Sequence, residues 1–401
     1  MNNIRRFEYK DQLFSIIYII YALLSVIYWS QLTAVYPQFE KVYLGYQLVC
    51  LPILVILYFW TKPTSKSFLL YILLVSLALY CTYVVKDTFF MMFIFFFFAA
   101  KGIDYKKLMQ KDIVVKITIF LLILFLYKIG YLNNLGVISR ATGEIRQTLG
   151  FNYPTYVMYM IMLISIEWII IRGKHISYIE IVIIILIGNY FGNITDARGE
   201  KLTLFFICFG IFLVKLCESK LSEFFEQKGI KTILILAPEI ACLISYFFIM
   251  FLHPSNQWYS IINKFFSWRL NIIQMYYQDY GVKLLPSHIT LNYIGDDGKW
   301  IQVIDNCYLY LGIKLGLLSL IVYLIIFSFL IYSAIKYKNN IMIIIMLSFV
   351  LLNIVEYVAL APSIAIYCIT WCTMNNSPSI EDKFRLNRKT KYGNINNSSN
   401  L

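Results

Sequence analysis

Apolar runs of about 20 residues recur from Leu13 almost to residue 374, and that repetition leaves this chain few structures to adopt. Such a run crosses the hydrocarbon core of a bilayer as a helix. Inside hydrocarbon each backbone polar group must be satisfied within its own segment, so helices are expected rather than open strands. Spans are predicted near residues 13–34, 42–60, 67–85, 88–100, 113–132, 153–171, 177–193, 201–216, 232–252, 306–334, 341–358 and 362–374, of which the fourth and the last are short. Charged residues make up 14% of the chain, against roughly 25% in a soluble domain. The predicted fold class is therefore all-α, a polytopic transmembrane helix bundle of about twelve spans in the cell membrane.

Lysine and arginine set the orientation, because loops retained in the cytoplasm keep positive charge. Arg5, Arg6 and Lys10 precede the first run, and further basic groups follow alternate spans: Lys62 and Lys66; Lys101, Lys106, Lys107 and Lys111; Arg172 and Lys174; Lys220, Lys228 and Lys231; Lys336 and Lys338. Lys383, Arg385, Arg388, Lys389 and Lys391 close the series, which places both termini in the cytoplasm. That assignment needs an even number of crossings. It favours breaking the apolar stretch 341–374 at Ala361-Pro362-Ser363, since proline removes a helix donor; one span plus a re-entrant half-helix is the alternative.

The net charge of +13 is mostly these flanks. Topology and attraction to anionic lipid explain it, so nucleic acid is not implied. The first apolar run is too long for a signal peptide and lacks a small-residue cleavage site, so it is expected to stay as an anchor. The 8 cysteines suggest neither a disulfide framework nor a zinc site. Residues 1–374 are read as one transmembrane domain including a large outer loop, 253–304, and 375–401 as a disordered basic cytoplasmic tail.

Chemistry is expected at the outer end. Most outer loops are minimal, but 133–152 is of medium length, 193–199 is short and charged, and 253–305 is by far the longest. Ordered loops of that length usually have a function. Its aromatics, including Trp258, Tyr259, Trp268, Tyr276 and Tyr277, suit either an interfacial helix or a stacking surface for sugar rings. Arg140, Arg146, Arg198 and Arg269 fall on outer segments, against the topology bias. Guanidinium groups donate in pairs and stay protonated, so several converging arginines suit a pyrophosphate. Singly, each could contact a lipid headgroup or form an ion pair, Arg198 with Asp196 or Glu200 and Arg146 with Glu144.

Two carboxylates complete the set. Asp305 opens Asp305-Asn306-Cys307-Tyr308-Leu309, where a carboxylate also serves as a helix cap. Glu356 sits near the outer end of an apolar segment, where an ionisable group is costly and is a functional hypothesis by default; the alternative is an internal salt bridge to one of the arginines. No Asp-x-Asp motif occurs, and Asp296-Asp297-Gly298 reads as a turn, so no metal or cofactor is expected.

These residues resemble the Wzy-type polymerases of O-antigen and capsular polysaccharide, with the related O-antigen ligases. The resemblance rests on the layout of spans with one large late outer loop, and on four short motifs. Arg146-Gln147-Thr148-Leu149-Gly150-Phe151-Asn152-Tyr153-Pro154 resembles the family's Arg-x-Ser/Thr-Leu-Gly-Phe-x-x-Pro stretch, and Thr195-Asp196-Ala197-Arg198 its Thr-x-Ser-Arg segment, with alanine in place of serine. Asp305-Asn306-Cys307-Tyr308-Leu309 resembles the opening of the span after the large loop, and Glu356 a glutamate late in the chain. The family's arginine-to-glycine spacing is only approximated by Arg140 to Gly150 and Arg269 to Gly281.

The resemblance implies a GT-C-like membrane glycosyltransferase that is independent of metal. One undecaprenyl-pyrophosphate-linked oligosaccharide would give its glycan to the non-reducing sugar of another, at the outer face. Arg140, Arg146, Arg198, Arg269, Asn152 and Tyr308 are the expected pyrophosphate and glycan contacts. His288, Asp305 and Glu356 are the candidate bases, His288 being favoured because related ligases are thought to use a histidine of the large loop. Expected partners are the lipid-linked oligosaccharides, membrane lipid, and a chain-length regulator and flippase of the same pathway. A ligase of the same superfamily and a lipid-linked oligosaccharide flippase or transporter are the rival readings.

Overall fold

The computed structural model describes residues 3–138, 143, 145–252, 255, 257–265, 269–289, 293–294, 300–301, 304–357, 361, 366 and 369–370. Arg140, most of the expected last span and the tail 375–401 lie outside the described residues.

Helix dominates, as the apolar pattern requires. The first group is α1 (Asn3–Trp29), α2 (Leu32–Val35), α3 (Gln38–Phe59), α4 (Ser65–Val85), α5 (Phe89–Ala99) and α6 (Tyr105–Lys128). A short antiparallel hairpin, β1 (Val137–Ile138) with β2 (Ile145–Arg146), then leads into α7 (Pro154–Arg172), α8 (Tyr178–Thr195) and α9 (Arg198–Glu226). The chain continues through α10 (Lys228–Ile235), α11 (Ala237–Phe251), α12 (Gln257–Phe265) and α13 (Arg269–Tyr280), and a second hairpin of β3 (Tyr293–Ile294) and β4 (Trp300–Ile301). Helices α14 (Cys307–Tyr310), α15 (Leu317–Lys336) and α16 (Asn340–Val355) follow. Several starts are written locally: Thr64, Asp104 and Asn339 cap α4, α6 and α16, and Ser177 with Glu180 forms a capping box on α8.

Among the described residues, seven helices are long and apolar enough to cross a membrane, or eight if α10 and α11, bent by 56° at their junction, act as one. Helix α5 has 11 residues and α16 has 16, and α6, although 24 residues long, carries Asp112 and Lys116 in its interior. The expected run at 306–334 is two pieces, because a π-helical turn, Leu311–Leu315, ends at Gly316 before α15 begins. Helix α16 stops at Val355, so Glu356 lies beyond its last turn rather than inside a span.

Apolar character decides where each helix sits. Helix α5 is hydrophobic all round and, accordingly, Phe90 to Phe96 are buried on every side. Phe96 packs against Phe14, Tyr18 and Tyr21 of α1. By contrast, Leu48 and Val49 on α3, Leu69 and Leu73 on α4, and Ile179 and Leu186 on α8 face outward, a surface suited to hydrocarbon.

Two local features position the helix ends that carry the charged residues. Helices α9 and α16 approach closely because glycine faces the neighbour: a Cβ on Gly210 would lie 2.5 Å from Ile344 Cγ2, and one on Gly199 3.0 Å from Val355 Cγ2. The segment after β2 is tied to the end of α1. Gln31 N–H donates to Gly150 O at 3.0 Å, Asn152 N–H to Trp29 O at 2.9 Å, and the Gln31 amide donates to Phe151 O and accepts from Asn133 N–H. Leu149 and Gly150 both adopt positive φ at this knot, and a Cβ on Gly150 would meet Ile123, Tyr127 and Leu132 at 3.2 Å.

Candidate functional site

Arg269, Asp305 and Glu356 come from three separated segments and meet at one end of the bundle, the end that the basic-residue bias assigns to the outside. Arg269 is the first residue of α13, Asp305 precedes α14, and Glu356 follows α16. The guanidinium bridges both acids, with Nε 3.1 Å from Asp305 Oδ2 and Nη1 2.8 Å from Glu356 Oε1. Nη1 also donates to Val355 O at 2.6 Å, satisfying a carbonyl at the end of α16. Helix α13 of the large loop is thus fastened to the start of α14 and the end of α16.

Asn306, not Asp305, caps α14. Its Oδ1 accepts from Leu309 N–H at 3.0 Å, and its amide donates to Ile354 O at 2.7 Å and to Ser245 Oγ at 3.0 Å. With the cap supplied by its neighbour, Asp305 is left for the arginine.

Arg146 approaches the same end from β2. Its Nε donates to Thr195 O at 2.8 Å and the next backbone amide, Gln147 N–H, to Ile194 O at 3.1 Å, so the hairpin satisfies the last carbonyls of α8. Among the described residues its two terminal nitrogens have no hydrogen-bond partner. Arg146 lies within electrostatic reach of Glu200, Asp196, Arg269 and Glu356. Glu200, in the first turn of α9, is almost fully buried, and its Oε1 has no partner among the described residues. The Gly199 contact with Val355 sets Glu200 beside Glu356. Tyr159, buried on α7, faces both carboxylates.

Two guanidinium groups therefore confront three carboxylates. Burial pushes Glu356 up to about 8, with Glu200 and Asp305 adding to the rise and Arg269 opposing it. For Arg269, burial alone acts downward, but Asp305 and Glu356 outweigh it and hold the guanidinium above its ordinary range. Burial lowers Arg146, with Glu200 and Asp196 acting against it; as an arginine it stays charged near neutrality. Ser245, Phe248, Arg269, Asp305, Asn306 and Leu309 line a cleft of ≈ 20 Å³. That is room for about one water, so an oligosaccharide would need the helices to part.

Other expected residues lie elsewhere. Arg198 is on the surface, paired with Asp196 at 2.8 Å, one of the two ion pairs anticipated for it. Asn152 donates its amide to Tyr28 O at 3.1 Å, within the knot that ties the loop to α1. Tyr308 is buried and donates to Val350 O at 3.2 Å inside the bundle. His288 is exposed, and no hydrogen bond or ion pair among the described residues joins it to the arginines. Of the aromatic stretch, 257–265 and 269–280 form α12 and α13; Tyr259 donates to Gln274 Oε1 at 2.8 Å between them, while Trp258 faces outward.

Sequence reasoning considered Glu200 only as a partner for Arg198 and passed over Tyr159. It also missed Asp112, Lys116 and Glu167, which meet in the middle of the bundle. The available signal was Lys116 inside an apolar run. Among the described residues, no group of three or more His, Cys, Asp or Glu residues could hold a metal ion.

Comparison with protein-family models, curated proteins and solved structures finds no match to this chain.

Proposed function

We propose that this protein is a multi-pass membrane glycosyltransferase of the polysaccharide-polymerase type, with a GT-C-like bundle of about twelve spans and cytoplasmic termini. It joins oligosaccharide units carried on undecaprenyl pyrophosphate at the outer face. The observation that carries the reading is the arginine–carboxylate cluster, with Arg269 held between Asp305 and Glu356 and Arg146 beside it, its terminal nitrogens without a partner among the described residues. Negative charge grows on the departing pyrophosphate, and fixed guanidinium groups aimed at that charge lower the barrier. The acceptor hydroxyl must lose a proton, and a base is best suited when it titrates near the working pH. Glu356, pushed up to about 8 and bonded to Arg269, meets that condition inside the cluster, whereas exposed His288 has no bond to the arginines among the described residues.

In this mechanism the Asp305 and Glu356 carboxylates hold Arg269 in place before substrate binds. As the helices part, Arg269 and Arg146 take the pyrophosphate oxygens, and Glu356 accepts the proton from the incoming sugar hydroxyl. The glycosidic bond forms as the bond to pyrophosphate breaks, and the lipid pyrophosphate leaves with its electron pair.

A second reading, transport of lipid-linked oligosaccharide, is favoured by the ionisable groups buried between α6 and α7. Cells lacking the protein separate the readings. Loss of a polymerase leaves single repeat units on lipid, loss of a ligase leaves long lipid-linked chains, and loss of a transporter strands units on the cytoplasmic leaflet.

A further inference from the structure

Asp112 and Lys116 lie one turn apart on α6 and face Glu167 on α7, all three fully buried. Lys116 is about 16 Å along α6 from its start, at 1.5 Å per residue, well away from either end. Its ammonium donates to Asp112 Oδ2 at 2.7 Å and also to Glu167 Oε1. Tyr18 of α1 donates to the same Asp112 Oδ2 at 2.9 Å. Those contacts satisfy one oxygen of each acid. The other two, Asp112 Oδ1 and Glu167 Oε2, are buried with no hydrogen-bond partner among the described residues, and the two carboxyl groups act directly on each other.

Fully ionised, two carboxylates against one ammonium leave a charge of −1 in an apolar interior, with two orphaned acceptors repelling one another. Both faults have one remedy. A water could donate to the oxygens but would leave the charge; a single proton neutralises the site and turns the repulsion into an O–H···O bond. The titratable groups facing the pair are Tyr18 from α1 and Asp112 and Lys116 from α6. Phe96 of α5 packs on Tyr18 and adds no charge.

We propose that Asp112, Lys116 and Glu167 form a proton-binding site in which one exchangeable proton is shared by the two carboxyl groups and Lys116 is the fixed counter-charge. Loading takes a proton from a hydronium ion and moves the site from −1 to neutral; unloading returns it to water, and only O–H bonds change. The site stands apart from the arginine cluster and does not depend on the glycosyltransferase reading.

Dicyclohexylcarbodiimide, which attacks protonated carboxyl groups in apolar surroundings, tests this on the unaltered full-length protein in detergent, with the label located by peptide mapping. Label is expected on Asp112 or Glu167 at about pH 6 and should fall several-fold by about pH 10, as the proton leaves. Lys116→Met, lacking the counter-charge, should retain protons on both acids and raise the label about twofold. Infrared difference spectra supply a reading independent of reagent access: the protonated carboxyl band of the unaltered chain at about pH 6 should weaken in Glu167→Gln, leaving the part that Glu356 contributes. Absence of label on both acids at about pH 6 together with a band unchanged by Glu167→Gln overturns the proposal, as does a label that is unchanged across the pH range.

Discussion

Arg269→Met removes the one cation that Asp305 and Glu356 share while keeping an unbranched apolar side chain in its place. The side chains of Arg269, Asp305 and Glu356 are 21%, 23% and 6% exposed, so the pair with Glu356 is largely buried. Removing one partner of a buried pair costs about 3–5 kcal/mol, because the remaining charge is stranded. Two effects reduce that here. Solvent reaches Asp305, and Glu356, already pushed up to about 8, can be neutralised by a proton near neutrality. A net loss of about 2–3 kcal/mol remains, including about 1 kcal/mol for the orphaned Val355 carbonyl. The double variant Arg269→Met/Glu356→Gln removes the stranded charge and should recover about half of the loss, without restoring glycan transfer. Thermal unfolding in detergent should therefore rank the unaltered chain first, the double variant second and Arg269→Met last, while surface-glycan chain length collapses in both variants. A double variant no more stable than Arg269→Met would refute the assignment of the cost to buried charge.

Three more perturbations separate the roles of neighbouring groups. Arg146→Ala should abolish polymer formation, whereas Arg198→Ala, which breaks only an exposed pair with Asp196 worth about 0–1 kcal/mol, should leave chain length unchanged at equal protein levels. Transfer in reconstituted vesicles should rise with pH through about 8, because a raised pKa keeps Glu356 protonated below that value and frees the base above it; Glu356→Gln should flatten the profile. The sign for stability is opposite: folding favours the protonated Glu356, so its contribution is complete below the ordinary carboxylate range and is lost as pH rises through about 8. Gly150→Ala, at φ +84 and against three side chains at 3.2 Å, should cost about 1–2 kcal/mol and lower the yield of monodisperse protein measured by size-exclusion chromatography.

Apolar run length foretold the helices because it is a local property, and Arg146, Arg269, Asp305 and Glu356 stood out singly because charge beside hydrocarbon is rare. A salt bridge from Glu356 to an arginine was one of the two readings of that residue, but which arginine was hidden, since Arg269 and Glu356 are 87 residues apart and no local rule joins them. Cap chemistry misled in one place: aspartate and asparagine are equally good caps, and only the structure shows Asn306 taking that role. Glu200 was read with Arg198, close to it in sequence, yet the close contact at Gly199 turns it toward α16. Lys116 and Asp112 passed unremarked, because nothing in the local sequence shows that Glu167 faces them from α7.

The most direct measurement is reconstitution of the purified protein in vesicles with defined undecaprenyl-pyrophosphate-linked repeat units on the side opposite its termini. We predict a ladder of longer lipid-linked glycans, with one undecaprenyl pyrophosphate released for each unit joined, and loss of both in Arg269→Met and Glu356→Gln. Units that cross between leaflets without lengthening would contradict the account and make the protein a transporter.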